Sequence, residues 1–194
     1  PETKFILRGG HFNRYEETFP VNQGKLVIGF RAGMSHSRDN IFAVTVMNDI
    51  FGMGTYSKLF MNVREKLSLA YYCWSKLIAN KGIVLVEGGI DTDKEKKVSA
   101  EILAQLSDLR SGKTDPEVLD SSKRSLKERY TFTTPEGICS WYASQLLEEE
   151  IITPENMING VEAVTMEQVC EAAKKLSIDT IFMLKAQEEV ENAD

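Results

Sequence analysis

Three segments in the second half of the chain begin with the same pattern: a capping residue, a proline and a glutamate, at 115–117, 134–136 and 153–155. The first side chain can cap free backbone N–H groups of a helix, and proline is favoured at the first helical position. The glutamate places negative charge at the positive helix end. The pattern therefore predicts three consecutive helices, and the pair Thr165 and Gln168 predicts a fourth through a capping box.

Short apolar runs rich in β-branched and aromatic residues predict the strands. One run, 24–33, is closed by glycine at both ends, and another, 179–186, follows the last predicted helix. The runs 70–80 and 82–91 are joined by Asn80, Lys81 and Gly82. A short turn of this composition predicts an antiparallel hairpin.

The remaining periodic segments predict helices on either side of this hairpin. Residues 41–51 carry apolar residues at helical spacing, and a second helix is predicted from about Tyr56 to Lys66. After the hairpin, Thr92 and Glu95 predict a capping box for a further helix. The apolar stripe of that helix consists of Val98, Ile102, Leu106 and Leu109.

The resulting order is strand, two helices, hairpin, several helices and strand, without regular βαβ alternation. This order predicts an α+β fold: a two-layer sandwich in which a mostly antiparallel sheet is covered by helices on one side. The last strand must return to the sheet begun about 150 residues earlier, because it could not pair its backbone groups alone. The 194 residues contain no internal repeat and no long linker, so we expect a single domain over 1–194.

Composition excludes several partners. The chain has 29 acidic and 23 basic residues and a formal charge of −6, without a dense run of Lys or Arg, which disfavours nucleic acid and anionic membranes. The sequence has no apolar stretch of about 18 residues and no signal-peptide order at its start. The cysteines, Cys73, Cys139 and Cys170, are few and widely spaced, which predicts buried, reduced thiols and a cytoplasmic location.

Common catalytic motifs are absent from the sequence. A zinc enzyme needs three or four ligands, whereas His11 and His36 are the only histidines and neither has a second His within a helical turn. We therefore predict no metal site and no cofactor in this chain. No phosphate loop or G-x-S-x-G elbow occurs, and Gly52 and Gly54 are interpreted as helix-terminating residues.

Arg64 and Tyr71 are the remaining candidates for chemistry. They flank the change from a predicted helix to a predicted strand, where a guanidinium and a phenol could both donate to a peptide carbonyl or a developing oxyanion. Ordinary structural roles would also explain them. Arg64 lies beside Glu65 on a helix surface, and Tyr71 could pack with neighbouring strand aromatics.

The stretch FGMGTYSKLFMNVREKLSLAYYCWS, residues 51–75, resembles a motif of a known family. It is similar to the glycine-rich turn, S-x-L-F helix, R-E-K and L-A-Y of the C-terminal domain of the pitrilysin and insulinase family of zinc metallopeptidases, which includes mitochondrial processing peptidase and its bacterial relatives. The likeness extends over nearly the whole chain. In that family two halves, fused or separate, close around a chamber, and an N-terminal domain binds zinc through H-x-x-E-H and a downstream Glu.

The resemblance implies roles for two residues and for several partners. Arg64 and Tyr71 occupy the positions of the Arg and Tyr that reach the substrate backbone and the tetrahedral intermediate. It also implies a peptide substrate, an N-terminal domain of the same parent and a second half as a homo- or heterodimer. Zinc is expected in that N-terminal domain or in a partner, because this chain lacks the motif and starts without Met.

Two departures from the family pattern leave alternatives open. Ser68 stands where many members have glycine, at a position usually able to take a positive φ. Some members have lost the zinc motif, so the alternative is a non-catalytic subunit or peptide-binding scaffold of the same fold. A third hypothesis, an unrelated nucleotide binder, lacks the phosphate loop that it needs.

Overall fold

Five strands form one mixed sheet in a computed structural model that describes residues 6, 10–34, 40–146, 148 and 150–187. The strands are β1 (Asn13–Phe19), β2 (Gly24–Arg31), β3 (Tyr72–Ile78), β4 (Ile83–Ile90) and β5 (Ser177–Ala186). Their order across the sheet is β1-β5-β2-β4-β3. β1 runs parallel to β5, and the other three pairs are antiparallel. The last strand thus returns to the middle of the sheet, as its unpaired backbone groups require.

Within the described residues, six α-helices form the second layer of this α+β fold. They are α1 (Ile41–Asn48), α2 (Glu95–Arg110), α3 (Pro116–Tyr130), α4 (Pro135–Ala143), α5 (Pro154–Ala163) and α6 (Met166–Lys175). Alternate residues of β2, including Leu26, Ile28 and Phe30, are buried. The predicted stripe of α2 is also buried, from Val98 to Leu109. One face of the sheet therefore forms the core with the helices.

The helix starts predicted from local sequence are confirmed in four places. Asp115 accepts a hydrogen bond from the backbone N–H of Glu117, and Thr134 and Thr153 cap α4 and α5 in the same manner. Thr165 and Gln168 form both bonds of a capping box. The hairpin is also confirmed, with Gly82 in its turn at φ 59°.

The capping box predicted at Thr92 is wrong. Residues Thr92–Lys94 form a 3₁₀ turn before α2, and no side chain caps that helix. The carboxylate of Glu95 instead accepts hydrogen bonds from Arg14 of β1, at 2.5 and 2.8 Å. Because the Glu95 carboxylate is hydrogen-bonded to the Arg14 guanidinium, it does not cap the N-terminus of α2. A long-range ion pair therefore replaces the predicted capping box.

Strand β1 was not predicted from the sequence. All seven of its residues are exposed, so it shows no buried alternation. It is held by backbone pairing with β5 and by ion pairs, including Glu16 with Lys185 at 2.5 Å. An edge strand stabilised in this way carries little hydrophobic signal.

The thiols are free, as predicted, but the prediction that all three are buried is wrong. Cys73 is buried in β3, where burial raises its pKa to about 12, whereas Cys139 on α4 is exposed and Cys170 is partly exposed. α4 buries none of its residues, which explains the exposure of its cysteine.

Candidate functional site

Arg64 lies on a π-helical segment, Leu59–Lys66, where the sequence predicted an ordinary helix from Tyr56. The side-chain amide of Asn62 donates to the carbonyl of Lys58 at 3.0 Å, the acceptor that the backbone N–H of Asn62 would use in an α-helix. The backbone N–H of Leu67 then bonds to Asn62, five residues back. Such segments are rare and often lie at functional sites.

The buried face of this segment holds Arg64 at the surface. Leu59 and Val63 are fully buried, whereas Arg64, the residue after Val63, is exposed. The guanidinium of Arg64 lies 4.8 Å from the ring centroid of Phe60, and its Nε is 3.5 Å from a carboxylate oxygen of Glu65. Its side chain remains 44% exposed. The group is thus oriented by two neighbours but still open to a ligand.

A tight turn carries the chain from Arg64 to Tyr71. Ser68 adopts φ 48°, in the left-handed region, so serine does not prevent a positive φ at this position. The backbone N–H of Leu69 donates to the carbonyl of Val63 at 2.9 Å, and Leu69 and Ala70 are buried. The backbone N–H of Tyr71 then donates to Gly89 of β4 at 2.9 Å. This turn anchors the backbone on both sides of the site.

We expect Ser68→Gly to stabilise the chain by about 0.5 to 1 kcal/mol. A non-glycine residue in the left-handed region costs about 1 to 2 kcal/mol, and the greater freedom of glycine in the unfolded state cancels part of the gain. Urea denaturation followed by circular dichroism would measure the difference. Ser68→Val should have the opposite effect, and a Gly variant less stable than wild type would contradict the prediction.

Tyr71 is exposed, and its hydroxyl has a charged partner. The side chain is 61% exposed, and its hydroxyl donates to Oδ1 of Asp91 at 3.0 Å. The other oxygen of Asp91 accepts from Nζ of Lys94 at 2.6 Å. The carboxylate of Asp91 holds the phenolic proton and thereby raises the pKa of Tyr71. The pKa of Asp91 is lowered, mainly by its hydrogen bond from the Lys94 ammonium and to a smaller extent by the one from the Tyr71 hydroxyl.

An open cavity of about 360 Å³ brings the two predicted residues together. Arg64 and Lys94 contribute two cations to it, Glu65 and Asp91 contribute two carboxylates, and Tyr71 contributes a phenol. The remaining lining residues are Ser68, Leu69 and Ala70. Sequence reasoning missed Asp91 and Lys94. The available signal was their position directly after the hairpin strand that pairs with the Tyr71 segment.

Glycine leaves room for an aromatic ring beside the cavity. A Cβ at Gly89 would lie 2.4 Å from a ring carbon of Tyr72, its partner across the β3–β4 pair. A close backbone approach requires glycine at position 52, because a Cβ there would lie 2.6 Å from the backbone nitrogen of Ser75. Helical structure continues through Gly52 to Met53, so only Gly54 ends the helix as predicted.

Of the other candidates from the sequence, the described residues include only His11, which does not line this cavity. His11 is exposed near β1, and His36 lies outside the described residues, as do residues 37–39, whose Ser, Arg and Asp side chains are candidates for a helix start. The described part of the chain contains no group of three or more His, Cys, Asp or Glu side chains arranged to hold a metal ion. Within the same residues, no helix is both long and apolar enough to cross a bilayer.

A larger cavity of about 540 Å³ lies between α1, β3, α3 and α4. Its walls are mostly apolar, and Arg129 contacts the buried carboxylate of Asp49 there at 3.3 Å. The carboxylate also accepts from the hydroxyl of Tyr56 at 2.5 Å. Neither Arg64 nor Tyr71 reaches this cavity, so the site predicted from the sequence corresponds to the smaller one.

Comparisons with known proteins agree on one family. The family described as "Peptidase M16 inactive domain" matches residues 7–126. A relative in Bacillus subtilis, "Probable inactive metalloprotease YmfF", is 32% identical over 87% of this chain and 40% of its own length. A conserved protein from Enterococcus faecalis is 31% identical, with a TM-score of 0.86 over 94% of this chain and 44% of that chain. A protease from Helicobacter pylori shares the fold at 16% sequence identity. Its TM-score is 0.79, and the match covers 90% of this chain and 44% of that chain. The chain thus spans less than half the length of these relatives.

Proposed function

The chain belongs to the family of peptidase M16 inactive domains, and from this we propose that it is the substrate-chamber domain of a peptide-hydrolysing protein. In this proposal residues 1–194 form one C-terminal domain. It packs with a zinc-binding N-terminal domain of the same parent, and this half closes against a second half of the assembly. The assembly is cytoplasmic in this proposal. Arg64 and Tyr71 bind the peptide and the transition state. The observation that carries the proposal is that both residues line one open cavity.

Arg64 is suited to hold a carbonyl or carboxylate oxygen of the peptide. A planar guanidinium presents paired N–H donors, and the contacts with Phe60 and Glu65 restrict its orientation before a ligand arrives. Preorganised donors stabilise charge that develops in a transition state, because they need no rearrangement at that moment. Glu65 at 3.5 Å is a loose partner, so a substrate oxygen can displace it.

Tyr71 supplies the second donor to the reacting peptide in this proposal. Its phenolic proton is held by Asp91 in the structure, at 3.0 Å. Donation to an oxyanion therefore requires the hydroxyl to rotate away from Asp91. That exchange replaces one charge-assisted hydrogen bond with another, so it becomes favourable when negative charge forms on the substrate and not before.

Zinc belongs to another part of the assembly in this proposal. The described residues offer no three-ligand group, so they do not fit a zinc site. The role of this chain is restricted to binding and orienting the peptide. The ion would supply the water activation from its own domain when bound.

A second hypothesis, from another functional class, is that the chain is part of a non-catalytic subunit or a peptide-binding scaffold. The relative in Bacillus subtilis that is 32% identical carries the name of a probable inactive metalloprotease. In such a protein Arg64 and Tyr71 would bind a peptide without chemistry, or would only pack. Binding measurements alone do not separate the two readings, whereas turnover does.

The zinc content of the isolated 194-residue chain tests the assignment. We expect the dialysed chain to contain less than one zinc per molecule, because its described residues lack a set of zinc ligands. For the same reason we expect no chelator-sensitive cleavage of peptides. Plasma emission spectrometry and a fluorogenic peptide assay with and without phenanthroline would measure both. One bound zinc per chain, or chelator-sensitive cleavage, would show that this chain carries the catalytic centre itself.

A further inference from the structure

The single proton of the Tyr71 hydroxyl is directed at Asp91. Asp91 is itself fixed, since one carboxylate oxygen accepts from Nζ of Lys94 at 2.6 Å and its backbone carbonyl accepts from the N–H of Lys94 at 3.0 Å. The position of Asp91 at the end of β4 is also set by the sheet, through the pairing of β4 with β3. A fixed acceptor therefore faces an exposed, otherwise mobile phenol.

We infer that Asp91 is a positioning residue: by holding the proton of Tyr71, it directs the lone pairs of the phenol oxygen toward the cavity as a hydrogen-bond acceptor. Arg64 on the opposite side of the turn can only donate. Arg64 and Tyr71 then form a pair in which the first donates to a bound chain and the second accepts from it. This inference rests on the proposed function and adds a positioning residue to it.

The donor and acceptor pair matches the backbone of an extended peptide. Each residue of such a chain carries one N–H and one C=O, and an extended segment presents them without internal partners. The C=O accepts from Arg64 and an N–H donates to the oxygen of Tyr71 before any oxyanion forms. Because both contacts are to the backbone, the site selects extended conformation rather than side-chain identity.

The contacts identify Asp91 as the residue that holds the phenolic proton of Tyr71. Glu65, the other carboxylate of the cavity, is paired with Arg64. Asp91 alone among the described lining residues accepts from the phenol. Without it, the phenol, which is 61% exposed, would sample several rotamers and both hydroxyl directions.

Titration of Tyr71 in the full-length protein tests the contact without any substrate. Tyrosine labelled with ¹³C at Cζ would be followed by NMR from pH 8 to 12, with the resonance assigned by Tyr71→Phe. We expect Asp91→Ala to lower the pKa of Tyr71, because the carboxylate favours the neutral phenol. The matched control is Asp93→Ala, an exposed acid two residues away. Equal pKa values in wild type and Asp91→Ala would overturn the inference.

A double-mutant cycle tests whether Asp91 acts through Tyr71. The probe is a pool of fluorescein-labelled tryptic peptides of casein, and the readout is Kd by fluorescence anisotropy with the full-length protein. We expect Asp91→Ala to weaken binding about 3- to 10-fold in the wild-type background and not at all in the Tyr71→Phe background. An equal loss in both backgrounds would overturn the inference, since Asp91 would then contact the peptide itself.

The two levels of the proposal fail in different ways. If Tyr71→Phe and Arg64→Ala weaken peptide binding and Asp91→Ala does not, the positioning role is wrong and the proposed function stands. If wild type does not bind the peptides, or neither Arg64→Ala nor Tyr71→Phe changes Kd, the proposed function fails and the positioning role falls with it.

Discussion

Replacing Arg64 by alanine in the assembled full-length protein is expected to lower kcat for peptide cleavage by about 100- to 1000-fold. Loss of one preorganised donor at a developing oxyanion has an effect of this size, about 3 to 4 kcal/mol in the transition state. Tyr71→Phe removes one hydroxyl and keeps the ring, so it should lower kcat in the same range while protein stability is unchanged. Steady-state kinetics on a fluorogenic peptide would separate kcat from KM.

Matched controls exist in the chain for both substitutions. Arg124 lies on α3, away from the cavity, and Arg124→Ala removes the same side chain from an exposed position. Tyr15 on the edge strand is 57% exposed, and Tyr15→Phe removes a hydroxyl there. Both controls should retain wild-type kcat. A cleaving protein in which Arg64→Ala and Tyr71→Phe also retain it would favour the non-catalytic reading of these residues.

The second large effect is on stability, at the buried carboxylate of Asp49. The side chain of Asp49 is 1% exposed, and Arg129 is its cationic partner at 3.3 Å. Among the described residues, Arg129→Ala would leave this buried carboxylate with the hydroxyl of Tyr56 as its remaining hydrogen-bond donor. Breaking a buried pair costs about 3 to 5 kcal/mol, and because Arg129 is 40% exposed we expect about 2 to 3 kcal/mol.

Lys127→Ala on the same helix is the control for that loss. Lys127 pairs with Glu162 at 2.6 Å, but both side chains are largely exposed, at 57% and 45%. Such a pair contributes about 0.2 to 1 kcal/mol, so its removal should be nearly silent. Urea denaturation of the 194-residue chain would compare the two variants. Similar losses would show that burial of Asp49 does not set the strength of its ion pair.

Sequence reasoning identified the site residues by resemblance, but it could not identify their surroundings. Arg64 and Tyr71 are seven positions apart, and the family motif marked both. Asp91 lies 20 residues beyond Tyr71 and is joined to it only by the pairing of β3 with β4. The sequence predicted the hairpin, but the register that brings Gly89 beside Tyr72 is fixed by the conformation of the turn, which the sequence analysis did not specify.

Local chemistry explains what the sequence alone determined: the helix starts at Asp115, Thr134, Thr153 and Thr165 rest on hydrogen bonds that span two or three residues. Tertiary structure decided the edge strand β1 and the diversion of Glu95 from its expected cap to Arg14. These features depend on partners distant in sequence. These long-range contacts stabilise the chain only after it has closed the loops that bring the partners together. A local sequence pattern therefore does not predict them.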